Sequence, residues 1–216
     1  MMLFKRITSM CTELKDSTIL IATSNLGKQK EIRNYLKDFD INLLFLSDLE
    51  KKVAEPVEDA DSFLGNALIK AKYYNKIFGY PTLADDSGLC VDGLEGLPGI
   101  YSARWAGPKQ EYTLAAKKIK AMLKEKDVSE NMPTAKFVCC LVLFWNDDHY
   151  KDYYGEVKGK LDFSAKGHNG FGYDPIFIPE KYDITFAQME EKEKQRLSHR
   201  GKAFKSLIAD QFFVGS

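Results

Sequence analysis

The sequence predicts an α/β fold. Apolar runs of strand length alternate with segments whose apolar residues recur at helical spacing, and this alternation favours an α/β architecture over a helical bundle or a β-sandwich. The chain has 216 residues, which suits one domain that contains either a single core or two lobes. We expect this domain to span residues 18–216 and to follow a poorly ordered N-terminal extension, residues 1–17.

The first predicted elements are a strand, a helix and a second strand. An apolar run at 19–22 indicates the opening strand. Residues 27–37 have helical periodicity with Ile32 and Leu36 directed inward, and the second strand is expected at 42–46.

The clearest helical pattern covers residues 62–78. Asp61 is a suitable N-cap, and Gly79 followed by Pro81 stops the helix. The predicted inward face consists of residues at helical spacing, namely Leu64, Leu68, Ala71 and Phe78.

The rest of the chain is predicted to add three strands and two helices, joined in part by a charged surface loop at 126–133. The strands are expected at 82–84, 136–144 and 150–158, and the helices at 111–126 and 199–211.

Composition and charge exclude several classes of protein. Lysine plus arginine and aspartate plus glutamate both total 31, so the basic excess of a nonspecific nucleic-acid binder is absent and no long nucleic acid is expected as a partner. The four cysteines lack zinc-site spacing, and Cys139 and Cys140 lie in an apolar run where buried thiols are expected. No apolar run is long enough to span a membrane, and no secretory signal is recognisable, so we expect a cytoplasmic protein.

The first candidate site is the polar turn between the opening strand and its helix. A strand followed by a short polar turn and a helix N-terminus suits a phosphate group, and Lys28 adds a full positive charge. The turn lacks the glycine spacing of a P-loop, and it is also compatible with an ordinary helix start capped by Ser24 or Asn25. The turn consists of Thr23, Ser24, Asn25, Leu26, Gly27 and Lys28.

Two acidic segments are candidates for a metal site. Asp85 and Asp86 are expected where a strand ends in a turn, and residues 55–59 form a second acidic cluster. Carboxylate oxygens are ligands that Mg²⁺ prefers when it also contacts phosphates. Each segment is also compatible with a purely structural role, the first as a turn and the second as a solvated loop.

Two further segments have features that packing alone does not require. The glycine-rich loop 167–175 carries Phe171 and Tyr173, which suit stacking on a nucleobase but also suit a local hydrophobic plug. A basic cluster at 194–202 is expected at the start of the last helix, where cations oppose the helix dipole and a bound anion would relieve the conflict.

Six short motifs occur in the same order as in a known family. Together they closely resemble the inosine triphosphate pyrophosphatase family, the non-canonical purine NTP pyrophosphatases or XTP/dITP diphosphatases. The resemblance covers nearly all of the chain from Ile19 onward. The motifs are Thr23 to Lys28 with Glu31, Asn66-Ala67 with Lys70-Ala71, Ala84 to Leu89, Pro98 to Arg104, Gly170 to Pro175, and Ser198 to Gly201.

The resemblance implies a mixed central sheet flanked by helices, with two lobes around a nucleotide cleft. It implies Mg²⁺-dependent hydrolysis of ITP, dITP and XTP to the monophosphate and pyrophosphate, by a homodimer. It places phosphates on Thr23 to Lys28 and Mg²⁺ on Glu58 and Asp86, with Asp86 also the proton acceptor. The remaining substrate contacts that it implies are Ser87, Phe171, Gly172, Tyr173, Asp174, Lys194, His199 and Arg200.

Two alternatives remain at this level. One is a related pyrophosphatase that prefers other modified bases. The other is a sensor that binds a purine triphosphate without cleaving it.

Overall fold

The computed structural model describes residues 18–129, 131–146 and 149–210 and divides them into two compact units. The first unit contains residues 18–85, 140–146, 149–153 and 203–210. The second contains residues 86–129, 131–139 and 154–202. The predicted extension at 1–17 lies outside the described residues, and a single domain over 18–216 stays a prediction.

Six strands of the described chain form one sheet in the order β2-β1-β3-β4-β5-β6. Strand β1 is parallel to both β2 and β3, whereas β5 and β6 are antiparallel, so the predicted mixed sheet is confirmed. The strands are β1 (Thr18–Ala22), β2 (Asn42–Phe45), β3 (Thr82–Val91), β4 (Thr134–Asn146), β5 (His149–Leu161) and β6 (Phe177–Pro179). The α-helices are α1 (Leu26–Leu36), α2 (Phe63–Phe78), α3 (Ser102–Ala106), α4 (Tyr112–Glu125), α5 (Glu191–Leu197) and α6 (His199–Ala209).

The core of the first unit packs α2 against the sheet. The helix contributes Ala67, Ala71 and Tyr74 to a buried cluster that also contains Leu20 of β1 and Val142 of β4. Small residues on the helix let its backbone approach the strands closely, and burial of the larger apolar side chains supplies the stabilisation.

The core of the second unit is larger and richer in aromatic side chains. Helix α4 buries Ala115, Ile119 and Leu123. The rings of Phe137 and Phe177 lie 4.6 Å apart at their centroids and share this core. Aromatic contacts of this kind stabilise a core beyond simple area burial.

Strand β3 is much longer than the predicted 82–84. Its Asp-Asp-Ser-Gly sequence is typical of turns, yet the strand continues to Val91, and Leu89 is fully buried. Gly88 makes this possible, because a Cβ there would overlap the carbonyl oxygen of Gly99 and lie 2.6 Å from Ser102 Oγ. Core packing therefore overrides the local turn preference.

Helix α2 begins and ends almost as predicted, but its cap and one buried position differ. Ser62 rather than Asp61 is the N-cap, and its side chain accepts a hydrogen bond from the Gly65 N–H at 3.2 Å. Gly79 ends the helix in a left-handed conformation, as predicted. Leu64 is exposed because the buried stripe of the helix passes instead through Asn66, Ala67, Ala71 and Tyr74.

The cysteines that the structure describes are reduced and buried. Cys139 and Cys140 lie inside β4 as predicted, while Cys11 falls outside the described residues. Burial raises the pKa of the Cys90 thiol to about 11, which disfavours the reactive thiolate. None of the helices in residues 18–129, 131–146 and 149–210 has the length and apolar content needed to cross a membrane.

Candidate functional site

The predicted phosphate turn follows β1 and opens helix α1. Asn25 is the N-cap, and its Oδ1 accepts a hydrogen bond from the Lys28 N–H at 3.0 Å. Thr23 Oγ1 accepts from the Asn25 N–H at 3.2 Å, and the Gln29 side chain donates to the Thr23 carbonyl at 2.9 Å. These bonds fix the turn before any ligand binds and leave the positive end of α1 at the turn.

Lys28 forms an ion pair with Asp85, the last residue of β3 in the first unit. The two meet because β1 and β3 are parallel and Ala22 is in register with Ala84, so the turn after β1 begins beside Asp85 of β3. The Asp85 side chain is 1% exposed and that of Lys28 is 15% exposed. The buried carboxylate therefore holds the ammonium group in place beside the turn.

The acidic segment before α2 is anchored by one face of that helix. The fully buried Asn66 accepts from the Ala60 N–H at 3.1 Å, and Tyr73 donates to the Ala54 carbonyl at 2.9 Å. Between them, Lys70 forms a salt bridge of 3.1 Å with Glu58. Spacings of three and four residues place these three helix residues on a single face.

A hydrogen bond also joins this segment to the phosphate turn. Ser24 Oγ donates to Glu55 Oε1 at 2.5 Å. The turn, Lys28, Asp85 and the Glu58 segment are therefore brought together within the first unit.

Asp85 and Asp86 are consecutive residues of one strand rather than neighbours in a turn. Side chains alternate between the two faces of a strand, so adjacent residues do not present oxygen atoms side by side to one ion. Asp86 and Ser87 belong to the second unit, and Asp86 is buried. Ser87 Oγ accepts a hydrogen bond from Arg200 Nη2 at 2.8 Å.

Asp174 organises the glycine-rich loop of the second unit. One of its oxygens, Oδ2, accepts both the Phe171 N–H at 2.7 Å and Lys194 Nζ at 2.6 Å. Gly170 and Gly172 have φ of 75° and 68°, a conformation that glycine adopts at little cost. The carboxylate thereby ties the loop to helix α5.

The two aromatic side chains of this loop lie in different environments. Tyr173 is buried, and its hydroxyl donates to the Ser102 carbonyl at 3.3 Å, so this ring packs as a plug. Phe171 is half-buried, with Lys194 Nζ 5.0 Å and the Arg200 guanidinium 5.8 Å from its ring centroid. Phe171 is thus the ring of the pair that a ligand can reach.

The basic cluster spans two helices rather than the start of one. Helix α5 ends at Leu197, and Ser198 caps α6 by accepting the Gly201 N–H at 3.0 Å. Lys194 lies in the last turn of α5, where the dipole favours a cation, so the predicted conflict is wrong for this residue. Arg200 is at the start of α6, as predicted, and is buried.

His199 packs against the core of the second unit. Its ring stacks on Phe137 with centroids 4.7 Å apart and planes at 12°. The contact holds the first turn of α6 against this core.

A separate cavity of about 590 Å³ lies in the second unit. Lys136, Lys158, Lys160 and Lys181 are among its lining residues, and none of the predicted substrate or metal residues lines it. It is therefore distinct from the candidate site.

Two residues that support the site, Ser102 and Asn66, occur in the six motifs, but neither was assigned a role from the sequence. Ser102 Oγ accepts the Leu89 N–H at 2.9 Å and donates to the Gly99 carbonyl at 2.7 Å, which holds β3 beyond Ser87. A structural role for Asn66 could have been inferred from the sequence, because this polar residue occupies a position on the buried face of α2. No such inference was possible for Ser102, since its contacts depend on tertiary packing.

The chain is similar to known proteins over most of its length. The model of the Ham1 family matches residues 19–210. The dITP/XTP pyrophosphatase of Zymomonas mobilis is 41% identical over 196 residues, covering 91% of this chain and 92% of the relative. The dITP/XTP pyrophosphatase of Rhodospirillum centenum is 42% identical over 195 residues, covering 90% and 95% respectively.

A solved structure has the same fold. A HAM1 protein from Coxiella burnetii superposes with a TM-score of 0.80 at 33% identity, and the match covers 89% of this chain and 97% of that protein. With the family model spanning both units and relatives of this identity matching almost end to end, the chain belongs to the Ham1 family.

Proposed function

We propose that this protein is a hydrolase that converts the non-canonical purine nucleotides ITP, dITP and XTP to the nucleoside monophosphate and pyrophosphate. This activity keeps deaminated purines out of the nucleotide pool. The observation that carries the proposal is the half-buried Phe171 ring with the buried cations Lys194 and Arg200 beside it. The activity named for the two relatives points the same way.

The base is proposed to stack on Phe171. Hypoxanthine and xanthine carry a 6-keto oxygen, which a donor from Arg200 or from the backbone near His199 can satisfy. Adenine presents an amino donor at the same position and would leave two donors opposed. Mismatches of buried polar groups can exclude a substrate by about 10⁴-fold. The Ser87 hydroxyl, which accepts from Arg200, restricts how the guanidinium can turn.

The phosphates are proposed to bind the turn from Thr23 to Lys28. The N-terminus of α1 favours an anion, and Lys28 supplies a positive charge that Asp85 already orients. A bound triphosphate would compete with Asp85 for the ammonium group. This exchange keeps the charge of Lys28 compensated in both states.

Asp86 is proposed to accept the proton of the water that attacks the α-phosphorus, after which the bond from this phosphorus to the α–β bridging oxygen breaks. We also propose Glu58 and Asp86 as ligands of Mg²⁺. When bound, Mg²⁺ would neutralise charge that develops on the phosphate oxygens.

The donor chemistry of the chain fits this cation. Mg²⁺ is commonly held by one or two carboxylates together with substrate phosphates and water. In the described residues, no group of three or more His, Cys, Asp or Glu side chains is placed to hold a metal ion. The carboxylates proposed as donors are those of Glu58 and Asp86, with the remaining positions left to phosphate oxygens and water.

The protein is further proposed to act as a cytoplasmic homodimer. Light scattering on the purified full chain tests the oligomeric state, and twice the chain mass of 24.6 kDa is the expected result.

Product analysis tests the activity directly. Purified protein with Mg²⁺ is incubated with ITP, dITP, XTP and the standard nucleotides, and pyrophosphate is distinguished from orthophosphate. Monophosphate plus pyrophosphate from the 6-keto non-canonical purines is the expected result. Pyrophosphate release mainly from other nucleotides would change the substrate class, and binding without turnover would identify a sensor.

Two variants sharpen this experiment. Asp86→Asn is expected to lower kcat by at least about 100-fold, the contribution typical of a general base. Asp183→Asn is the matched control, because Asp183 is an exposed carboxylate of the second unit outside the proposed site. Equal loss in both variants would contradict the role of Asp86.

A further inference from the structure

Tyr112, the first residue of α4, lies beside the substrate loop of the second unit. Its ring meets the Tyr173 ring edge to face, with centroids 5.0 Å apart and planes at 81°. A Cβ placed on Gly172 would lie 3.6 Å from Tyr112 Cε1 and 3.7 Å from Cζ, the carbon that carries the hydroxyl. The hydroxyl end of the ring is therefore at the backbone of Gly172.

The electrostatic surroundings of this hydroxyl include two residues proposed to bind the nucleotide. Burial is the main cause that raises the pKa of Tyr112. The positive charge of Arg200 lowers this pKa, and the negative charge of Asp174 raises it.

The hydroxyl itself is available to a ligand. Tyr112 is half-buried, and among residues 18–129, 131–146 and 149–210 its hydroxyl has no hydrogen-bond partner. Tyr173 differs, because its hydroxyl donates to a backbone carbonyl. A half-buried donor that the protein leaves unsatisfied costs free energy unless a ligand or water satisfies it.

We infer that Tyr112 is a further substrate-binding residue, whose hydroxyl forms a hydrogen bond with the base or sugar of the bound nucleotide while its ring supports the backbone at Gly172. The inference rests on the proposed function. It assigns the contact to the nucleoside because the neighbours of Tyr112 are the loop residues proposed to surround base and sugar. The ring of Tyr112 packs beside Gly172 and Tyr173 and therefore lines the same proposed site.

Tyr112→Phe is the test, because it removes the hydroxyl and keeps the ring. The KM for dITP and XTP is expected to rise about two- to tenfold, the range for one lost hydrogen bond, with kcat unchanged. The melting temperature is expected to stay at the wild-type value. Tyr182→Phe is the matched control, since Tyr182 is also half-buried in this unit and lies outside the site.

A second variant distinguishes the contribution of the Tyr112 ring from that of its hydroxyl. Tyr112→Leu removes both, so we expect a larger rise in KM and a lower melting temperature, because the edge-to-face pair with Tyr173 is lost. A purely structural role for Tyr112 would lower the melting temperature here and leave Tyr112→Phe with wild-type KM. That combination would overturn the inference.

Failure of the proposed function gives a different result. If the wild type hydrolyses none of the nucleotides, the proposed activity is refuted. The contact is then tested by calorimetric titration with dITP. A dissociation constant raised about two- to tenfold in Tyr112→Phe alone supports the hydrogen bond, whereas equal constants overturn it, as does an absence of dITP binding to the wild type.

Discussion

Replacing Asp174 by asparagine would test how the substrate loop is held. The Asp174 side chain is 4% exposed and that of its partner Lys194 is 7% exposed, with 2.6 Å between Oδ2 and Nζ. Asparagine keeps an oxygen that can accept the Phe171 N–H but removes the negative charge. The substitution therefore isolates the ionic part of the interaction.

The expected loss is large because the cation stays buried. Removal of one partner from a buried ion pair destabilises a protein by about 3–5 kcal/mol, since the remaining charge is uncompensated. Total stability is about 5–15 kcal/mol, so Asp174→Asn should remove a substantial share of it. Lys194→Met in the same chain removes the stranded charge, and the double variant is expected to regain more than half of the loss.

Urea unfolding at pH 7, followed by tryptophan fluorescence, measures these differences, and the chain has two tryptophans. Asp183→Asn again serves as the exposed control. A loss below about 1 kcal/mol for Asp174→Asn, within the range of an exposed pair, would refute the reasoning. So would a double variant whose loss equals the sum of the single losses, because independent sites add.

The remaining predictions concern packing, pH and phosphate binding. Gly88→Ala should lower the free energy of unfolding by about 3 kcal/mol, because the new methyl group meets backbone, and an unchanged thermal melt would contradict this. A hydrogen bond from Lys166 is the main cause that lowers the pKa of Asp162 to about 2 from its usual 3.8, so its contribution is present above pH 4 and is lost as pH falls toward 2. The free energy of unfolding of the wild type should therefore fall between pH 5 and pH 2.5, and Asp162→Asn should reduce this fall by about 1 kcal/mol, a value lowered because Lys166 is exposed. If urea unfolding gives the variant the same pH profile as the wild type, this contribution is excluded. Lys28→Met should raise the KM for triphosphates about tenfold without altering base preference, and a changed preference in the nucleotide panel would remove Lys28 from the phosphate site.

Features set by local sequence were predictable. The strand at Thr18–Ala22 and the Gly79 stop follow from an apolar run and a left-handed backbone, both of which act within a few residues. The sequence narrows the cap of α1 to Ser24 or Asn25, and the structure has Asn25. The break between α5 and α6 is also local, since Ser198 is a good N-cap, but the basic residues on both sides obscured it.

Features set by tertiary register were not predictable. The partner of Lys28 is Asp85, which the parallel pairing of β1 with β3 brings to the turn. The long course of β3 depends on the close approach of the Gly99 carbonyl to Gly88. Spacing along one chain carries no information about such contacts, because loop length and crossover direction leave the register open.

The double role of the Asp174 carboxylate also has a consequence for protein engineering. Directed evolution toward another base would naturally randomise 170–174 and 194–200, the two short stretches around the Phe171 ring. Because one oxygen of Asp174 holds both stretches, most library members altered at this position would be lost through unfolding rather than through poor selectivity. A library that keeps Asp174 and Lys194 fixed and varies Phe171 and its exposed neighbours would retain many more folded members to screen.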